Sequence, residues 1–471
     1  MRKILFSPMS AIARTAGPSK RVGILASECM KVGIETAVCA AHDINFRKIE
    51  GAKEYPLDIP MPFGMPGFIA KRTYPFAEKT GIIGRKTVHS FEEVLHITGT
   101  TSYPYLARAV KQEREAIRDF APDIVYSEFS IPAIIAALAE NIKLVCTVSY
   151  PASAAYASSP QYAEGVNRLL GELGISKVSS TLELFDRAAL RIVASSRELE
   201  PVDGENVLFT GPFEGEISGA GSACMNGKAS GQSSGCSLND SDSEYMKNKT
   251  AQNDKQRRGC IVVYMGTGTI PAKKLISTIT GAFGNADDPE VFVSCSGVEP
   301  FDKGNIHVAH SSDFSELLPR ASVFINHGGQ NSVMDGLRYG VPQLICPGRI
   351  FERQYNARSI AENGAGLVVS LSEFLKGSAA NGENVGGRNA SNRNAGNRNA
   401  DGYNANDENA DGKAGGKTIA DFVHELSSNA SYTIAASRLW TELSSLGGAA
   451  RAVEKNITLM RCQSGLNRWF S

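Results

Sequence analysis

Two α/β domains, each a doubly wound parallel sheet, are what the sequence predicts, and three observations predict them. Short apolar runs rich in β-branched residues alternate with helical patterns. That alternation stops near residue 213 and restarts near residue 260. The chain, at 471 residues, is also longer than one ordinary hydrophobic core accommodates.

The first domain is expected over 1–213. Its opening run, 3–7, leads through Pro, Ser, Ala and Gly into a pattern that sets Val22, Leu25, Ala26, Cys29 and Met30 on one helical face, and an apolar run follows at 35–41. The theme recurs at 123–127, 131–139, 143–149 and 191–195. Between 214 and 258 the residues are Gly, Ser, Asn, Asp and Lys with almost no large apolar side chains, a composition that cannot repay the entropy of ordering and reads as a disordered linker. The second domain, 259–448, carries strand-like runs at 260–265, 290–294, 305–309, 323–326, 342–346 and 366–369, with helices beginning near 271, 331 and 351. The Asn/Gly-rich near-repeats of 377–417 read as a disordered insert. Helical patterning resumes at 419–442, breaks at Gly447-Gly448, and ends in a helix within 449–471.

Composition narrows the function. Forty-nine basic and 49 acidic side chains cancel and no basic stripe appears, so no nucleic-acid partner is expected. The nine cysteines are scattered, most in apolar runs (Cys39, Cys146, Cys260, Cys295, Cys346), and none has C-x-x-C spacing; this is reduced usage without a zinc site. No run is long enough to span a membrane and the N-terminal one is too short for a signal peptide, so the cytoplasm is the expected location. Asp240-Ser-Asp242 copies a metal-binding Asp-x-Asp but lies in the linker, and the calcium-loop-like 407–412 has Thr418 where Glu is needed. Glycosylation triplets at Asn248, Asn389 and Asn429 have no meaning in the cytoplasm.

Chemistry concentrates at 324–332. An apolar strand runs into His327-Gly328-Gly329 and then into a helix, with Asn331 or Ser332 available to cap it. Glycines let backbone approach a ligand, and free amides at a helix start attract anions; a pyrophosphate fits both. His327 can donate to a phosphate oxygen, Ser332 can add its hydroxyl, and Asp335 can accept from a ribose diol. The segment 327–335, with Gly340-Val-Pro342, Pro347 and 352–357, resembles the donor signature of glycosyltransferase family 1, the nucleotide-sugar transferases of the GT-B fold. Leu317-Leu-Pro319, Gly364-Ala-Gly366 and the stretch from Gly447 extend the resemblance.

That resemblance implies two Rossmann-like domains facing a cleft, with a nucleoside-diphosphate sugar, expected to be a UDP-sugar, on the second and a small acceptor on the first; the apolar residues, Pro and Gly of the acceptor loop 60–85 suggest that this acceptor is hydrophobic. His327, Gly328, Gly329, Asn331 and Ser332 then hold the diphosphate, and Asp335 the ribose, where the family usually has Glu. Glu352 and Arg353 fall where an acidic residue and Gln bind the donor sugar. Ser312, within 311–314, falls on the base-binding loop, and Gly266-Thr267-Gly268-Thr269 on a loop that reaches the phosphates from the other side. No metal or other cofactor is implied, and the last helix is expected to cross back to the first domain.

Such enzymes invert the anomeric carbon by direct displacement with a base on the acceptor hydroxyl. The family's Gly-His pair, which supplies that base, falls on Gly17-Pro18. Glu128, at a strand end, is the candidate that remains; a solvated loop carboxylate is the alternative reading. His42, His89 and His96 are the other titratable groups of this domain, and Arg14 and Lys20 the cations of the replacing loop. Two other functions fit the same residues: a nucleotide-sugar epimerase, and a catalytically silent nucleotide-sugar-binding accessory protein.

Overall fold

The computed structural model describes residues 2–11, 16–43, 46–65, 87–213, 259–266, 270–285, 287–376 and 417–464. The linker expected at 214–258, and most of both the insert expected at 377–417 and the acceptor loop expected at 60–85, fall outside these spans.

Strands buried on both faces carry near-continuous apolar runs, and that pattern builds both sheets. The first contains β1 (Lys3–Pro8), β2 (Glu35–Ala40), β3 (Lys53–Pro56), β4 (Ile124–Glu128), β5 (Lys143–Val148), β6 (Leu190–Val193) and β7 (Val207–Phe209). Its order is β3-β2-β1-β4-β5-β6-β7, all parallel. The second contains β8 (Cys260–Tyr264), β9 (Val291–Ser294), β10 (Phe301–Lys303), β11 (Ile306–Ala309), β12 (Ala321–Asn326), β13 (Gln343–Ile345) and β14 (Gly366–Val368). Its order is β10-β11-β9-β8-β12-β13-β14, parallel except where β10 meets β11. Both sheets are of the predicted doubly wound class. Strands β3, β7 and β10 have no counterpart in the sequence reading: each is only three or four residues long and none contains a fully buried residue, so none stands out as a buried apolar run.

In each sheet the winding reverses once, between β1 and β4 in the first and between β8 and β12 in the second. Helices diverge there, leaving a crevice at the carboxyl ends of the central strands. The helix Gly448–Ser464 packs on the first sheet: Ala449, Ala452, Val453 and Met460 join Ile4, Phe6, Val22 and Leu25 in one core, and Lys143 Nζ donates to the Leu459 carbonyl at 2.6 Å. Among the described residues no helix is long and apolar enough to cross a membrane.

One polar group sits deep under the first crevice. Glu113, on the helix Tyr103–Phe120, is fully buried and accepts from Ser7 Oγ at 2.5 Å, while its second oxygen has no partner. Burial raises its pKa from 4.5 to about 7, with its polar neighbours Ser7 and Cys39 opposing the shift. A folded pKa above the unfolded one means that protonation favours the fold: the contribution is fully present below about pH 4.5 and is lost as pH rises through about 7. Glu113→Gln is therefore expected to raise the melting temperature by at least about 2 °C at pH 8 and to change it little at pH 4.5. Thermal unfolding of both proteins at the two pH values measures this.

Candidate functional site

Strand β12 ends at Asn326, fully buried at the middle of the second sheet, and there the chain must turn into a helix. Asn326 fixes the turn. Its Oδ1 accepts from Gly328 N at 2.8 Å, and its Nδ2 donates to Gln343 Oε1 at 2.9 Å. Gln343 in turn donates to the Val333 carbonyl, and Asn356 Nδ2 to the Gly328 carbonyl at 2.9 Å. The glycines are steric requirements. Gly328 has φ +78° and a Cβ there would lie 2.8 Å from the Arg353 carbonyl oxygen; one on Gly329 would lie 2.7 Å from His327 Nε2. From the end of β8, Gly266 at φ +62° comes equally near, its Cβ position 3.0 Å from the same nitrogen. The imidazole thus lies between two backbone turns at the second sheet's reversal point. Thr267, Gly268 and Thr269 lie outside the described residues.

The helix that follows is Gln330–Arg338, with Gly329 at its N-cap in extended conformation and no side chain capping it. Here the structure departs from the sequence reading, which offered Asn331 or Ser332 as the cap. Both lie inside the first turn, Asn331 exposed and Ser332 buried. A glycine cap leaves the first amides without a side-chain acceptor, which is the arrangement that attracts an anion. His327 suits it: burial, aided by the Arg353 charge and opposed by the Tyr264 backbone, takes its pKa down to about 3. At neutral pH it is an uncharged donor, and its Nδ1 is buried without a hydrogen-bond partner.

Other predicted residues gather around this turn. Asp335 is half-buried on the same helix. Glu352 and Arg353 open the helix Phe351–Glu362; burial raises the Glu352 pKa against the charges of Arg353 and Arg21, and burial lowers that of Arg353 against the charge of Glu352. Ser312 accepts from Ser294 Oγ at 2.7 Å, which places it at the end of β9 on the same sheet edge.

The first domain reaches this site at several points. Val88 N donates to the Arg349 carbonyl and the Val88 carbonyl accepts from Phe351 N, both at 3.0 Å. The Leu199 carbonyl accepts from Tyr355 Oη at 2.7 Å and Ser359 Oγ at 3.0 Å. Glu200 takes Gln330 Nε2 on one oxygen and Tyr150 N on the other, and Glu198 grips Arg438 through both oxygens. Neither Leu199 nor Glu200 carries a sequence signal, since only the fold brings them to the donor helices.

Glu128 sits at the first sheet's reversal point, fully buried, and it faces inward. Its Oε1 accepts from Arg21 Nε at 2.6 Å and its Oε2 from the Thr147 hydroxyl. Gly17 and Pro18 lie in the first turn of the helix Ala16–Lys31, where proline is tolerated because that amide has no helical partner. A Cβ on Gly17 would lie 3.5 Å from Arg21 Nη1. Arg21 was not singled out from sequence; Lys20 is exposed and Arg14 lies outside the described residues. His42 stacks on Phe46 and His96 on Tyr162, whereas His89 is exposed beside Val88. Next to Glu128, Phe129 is on the wall of a cavity of about 260 Å³ with Val148, Tyr150, Leu182 and Phe185.

Comparison with known proteins agrees with this fold. Residues 301–402 match the family model of the erythromycin biosynthesis protein CIII-like C-terminal domain. The elloramycin glycosyltransferase ElmGT of Streptomyces olivaceus is 29% identical over 90 residues, 18% of this chain and 23% of that protein, so the chain spans less than a quarter of this curated relative's length. Among solved structures, the kitacinnamycin glycotransferase covers 96% of the chain, and 97% of its own, with TM-score 0.63 at 16% identity. The glycosyltransferase VinC in complex with dTDP covers 98%, and 99% of its own, with TM-score 0.55 at 15% identity. With its two facing doubly wound sheets the chain has the GT-B fold of these structures, and its second-domain sequence is similar to that of bacterial-type family 1 glycosyltransferases.

Proposed function

We propose that this protein transfers a sugar, with inversion, from a nucleoside diphosphate to a small acceptor bound on the first domain. One observation carries the reading: the helix Gln330–Arg338 begins at a glycine, without a side-chain cap, beside a neutral imidazole walled by Gly266 and Gly329. Amides and an uncharged N–H hold a diphosphate without a charge that must first be desolvated. As the anomeric bond breaks, negative charge grows on the bridging oxygen, and the same donors stabilise it more than they stabilise the bound donor.

We assign the roles as follows. Gly328, Gly329, Asn331, Ser332 and His327 hold the diphosphate with Gly266 opposite. Asp335 takes the ribose, Ser312 lies beside the base, and Glu352 and Arg353 meet the sugar. Glu128, turned inward on Arg21, acts as that arginine's anchor. The donor we propose is a UDP-sugar; dTDP belongs in the same test, since VinC is solved with that nucleotide. The helix terminus supplies the stabilisation for the leaving group, so no resident metal is invoked.

His327→Ala is expected to weaken UDP or dTDP binding by about 10- to 100-fold, the loss of one hydrogen bond to a charged group, with little change in melting temperature. Isothermal titration with each nucleotide measures it, and unchanged affinity would remove the diphosphate assignment. Gly329→Ala should do the same through displacement of the imidazole, its Cβ position being only 2.7 Å from Nε2. Turnover, followed as release of free nucleoside diphosphate, is expected to be unaffected by a chelator in excess; a rate restored only by added Mg²⁺ would contradict the metal-free reading.

A further inference from the structure

The two sheets reverse at equivalent places, and the first sheet's crevice presents a cation. Arg21 is built into it. Its Nε donates to the fully buried Glu128 at 2.6 Å, Thr147 holds the other carboxylate oxygen, and the guanidinium carbon lies 5.8 Å from the centroid of the Phe129 ring. A guanidinium has five N–H donors and Glu128 engages one of its nitrogens, so the carboxylate orients the fork without exhausting it. Neither Nη1 nor Nη2 has a hydrogen-bond partner among the described residues, and the side chain is 20% exposed. That leaves a planar pair of donors of the kind that fits two carboxylate oxygens.

Sugar transfer to a hydroxyl needs a group to accept its proton. All seven histidines lie among the described residues. His42 and His96 are stacked on aromatic rings, His307 lies between Asp302 and Glu290, and His310 and His424 belong to the second domain. His327 is part of the diphosphate turn, which leaves His89, exposed where Val88 meets Ile350. Of the carboxylates, Glu128 is held by Arg21 and Thr147, both oxygens of Glu200 accept hydrogen bonds, and Glu352, which faces Arg21 from the start of the helix Phe351–Glu362, is the group assigned above to the donor sugar. The crevice therefore offers an oriented cation where an acceptor would arrive.

Building on the glycosyl-transfer reading above, we infer that the acceptor is a carboxylic acid, bound as its carboxylate by Nη1 and Nη2 of Arg21, and that the product is a sugar ester. A carboxylate is already ionised at neutral pH and needs no base. One oxygen stays with Arg21 while the other attacks the anomeric carbon. The bond from that carbon to the diphosphate oxygen breaks, its electron pair leaves with the diphosphate, and no proton moves. The 260 Å³ cavity that shares Phe129 offers an apolar wall for a ring-bearing skeleton.

The full chain is incubated with UDP-glucose or dTDP-glucose and either benzoic and cinnamic acids or the matched benzyl and cinnamyl alcohols. The expected result is transfer to the acids, giving products cleaved by neutral hydroxylamine, with kcat/KM flat between pH 6 and 9. Arg21→Met should raise KM for the acids by about 10- to 100-fold and leave nucleotide affinity unchanged. Because that change strands the buried Glu128 charge, the double variant Arg21→Met with Glu128→Gln is assayed beside it and should show the same KM defect. Transfer to alcohols only, a rate that rises with pH and disappears in His89→Ala, or transfer to acids that ignores Arg21→Met overturns the inference while leaving glycosyl transfer standing. Nucleotide binding without transfer to any acid also overturns it. Failure to bind either nucleotide sinks the glycosyl-transfer reading itself.

Discussion

Backbone must come within contact of His327 from two directions, and the rest of the second domain is arranged around that constraint. A side chain at Gly329 or Gly266 would press on Nε2, and one at Gly328 would press on the Arg353 carbonyl. Such a turn has few contacts of its own, so its shape is imposed by neighbours: Asn326 from the strand, Gln343 from β13 and Asn356 from the next helix. These amides are buried and hydrogen-bonded, which makes each costly to lose and the geometry correspondingly rigid. Rigid donors around a developing charge are what lower a displacement barrier, because nothing has to reorganise as the charge appears.

The same turn is tied to the first domain. Residues 198–200 hold one helix through Gln330, a second through Tyr355 and Ser359, and a third through Arg438. Tyr150, Tyr156, Phe351 and Tyr355 pack across this seam, with ring centroids 5.3 Å apart for Tyr150 and Tyr355. The start of the donor helix is thus shared property: its amides face the diphosphate site and its first side chain binds a carboxylate from the other domain. Motion of one sheet against the other would have to break or slide these contacts.

Burial sorts the ionisable groups by role. His327 is kept neutral, Glu113 is biased toward its protonated form, and Arg21 retains its charge because Glu128 accompanies it out of water. Desolvation is the largest influence on all three, and a partner's presence or absence decides the outcome. A charge that keeps its partner inside the protein can still present unused donors outward, which is how a buried ion pair and a binding fork come to coexist at Arg21.

The sequence alone determined the fold class and the donor turn, for a local reason. Parallel strands buried on both faces print apolar runs, and a strand–Gly–Gly–helix junction is written in consecutive residues, so 324–335 was legible as an anion site without any contact map. Edge strands such as β3 and β10 were not legible, since half-exposed segments carry no apolar signature. Nor were the pairings that span the chain. Glu128 is a carboxylate at a strand end in either account; that it turns inward depends on Arg21, 107 residues away, and on Thr147 of the neighbouring strand. Tertiary structure alone decided that partnership, because whether a carboxylate meets water or a guanidinium is settled by which strands lie side by side.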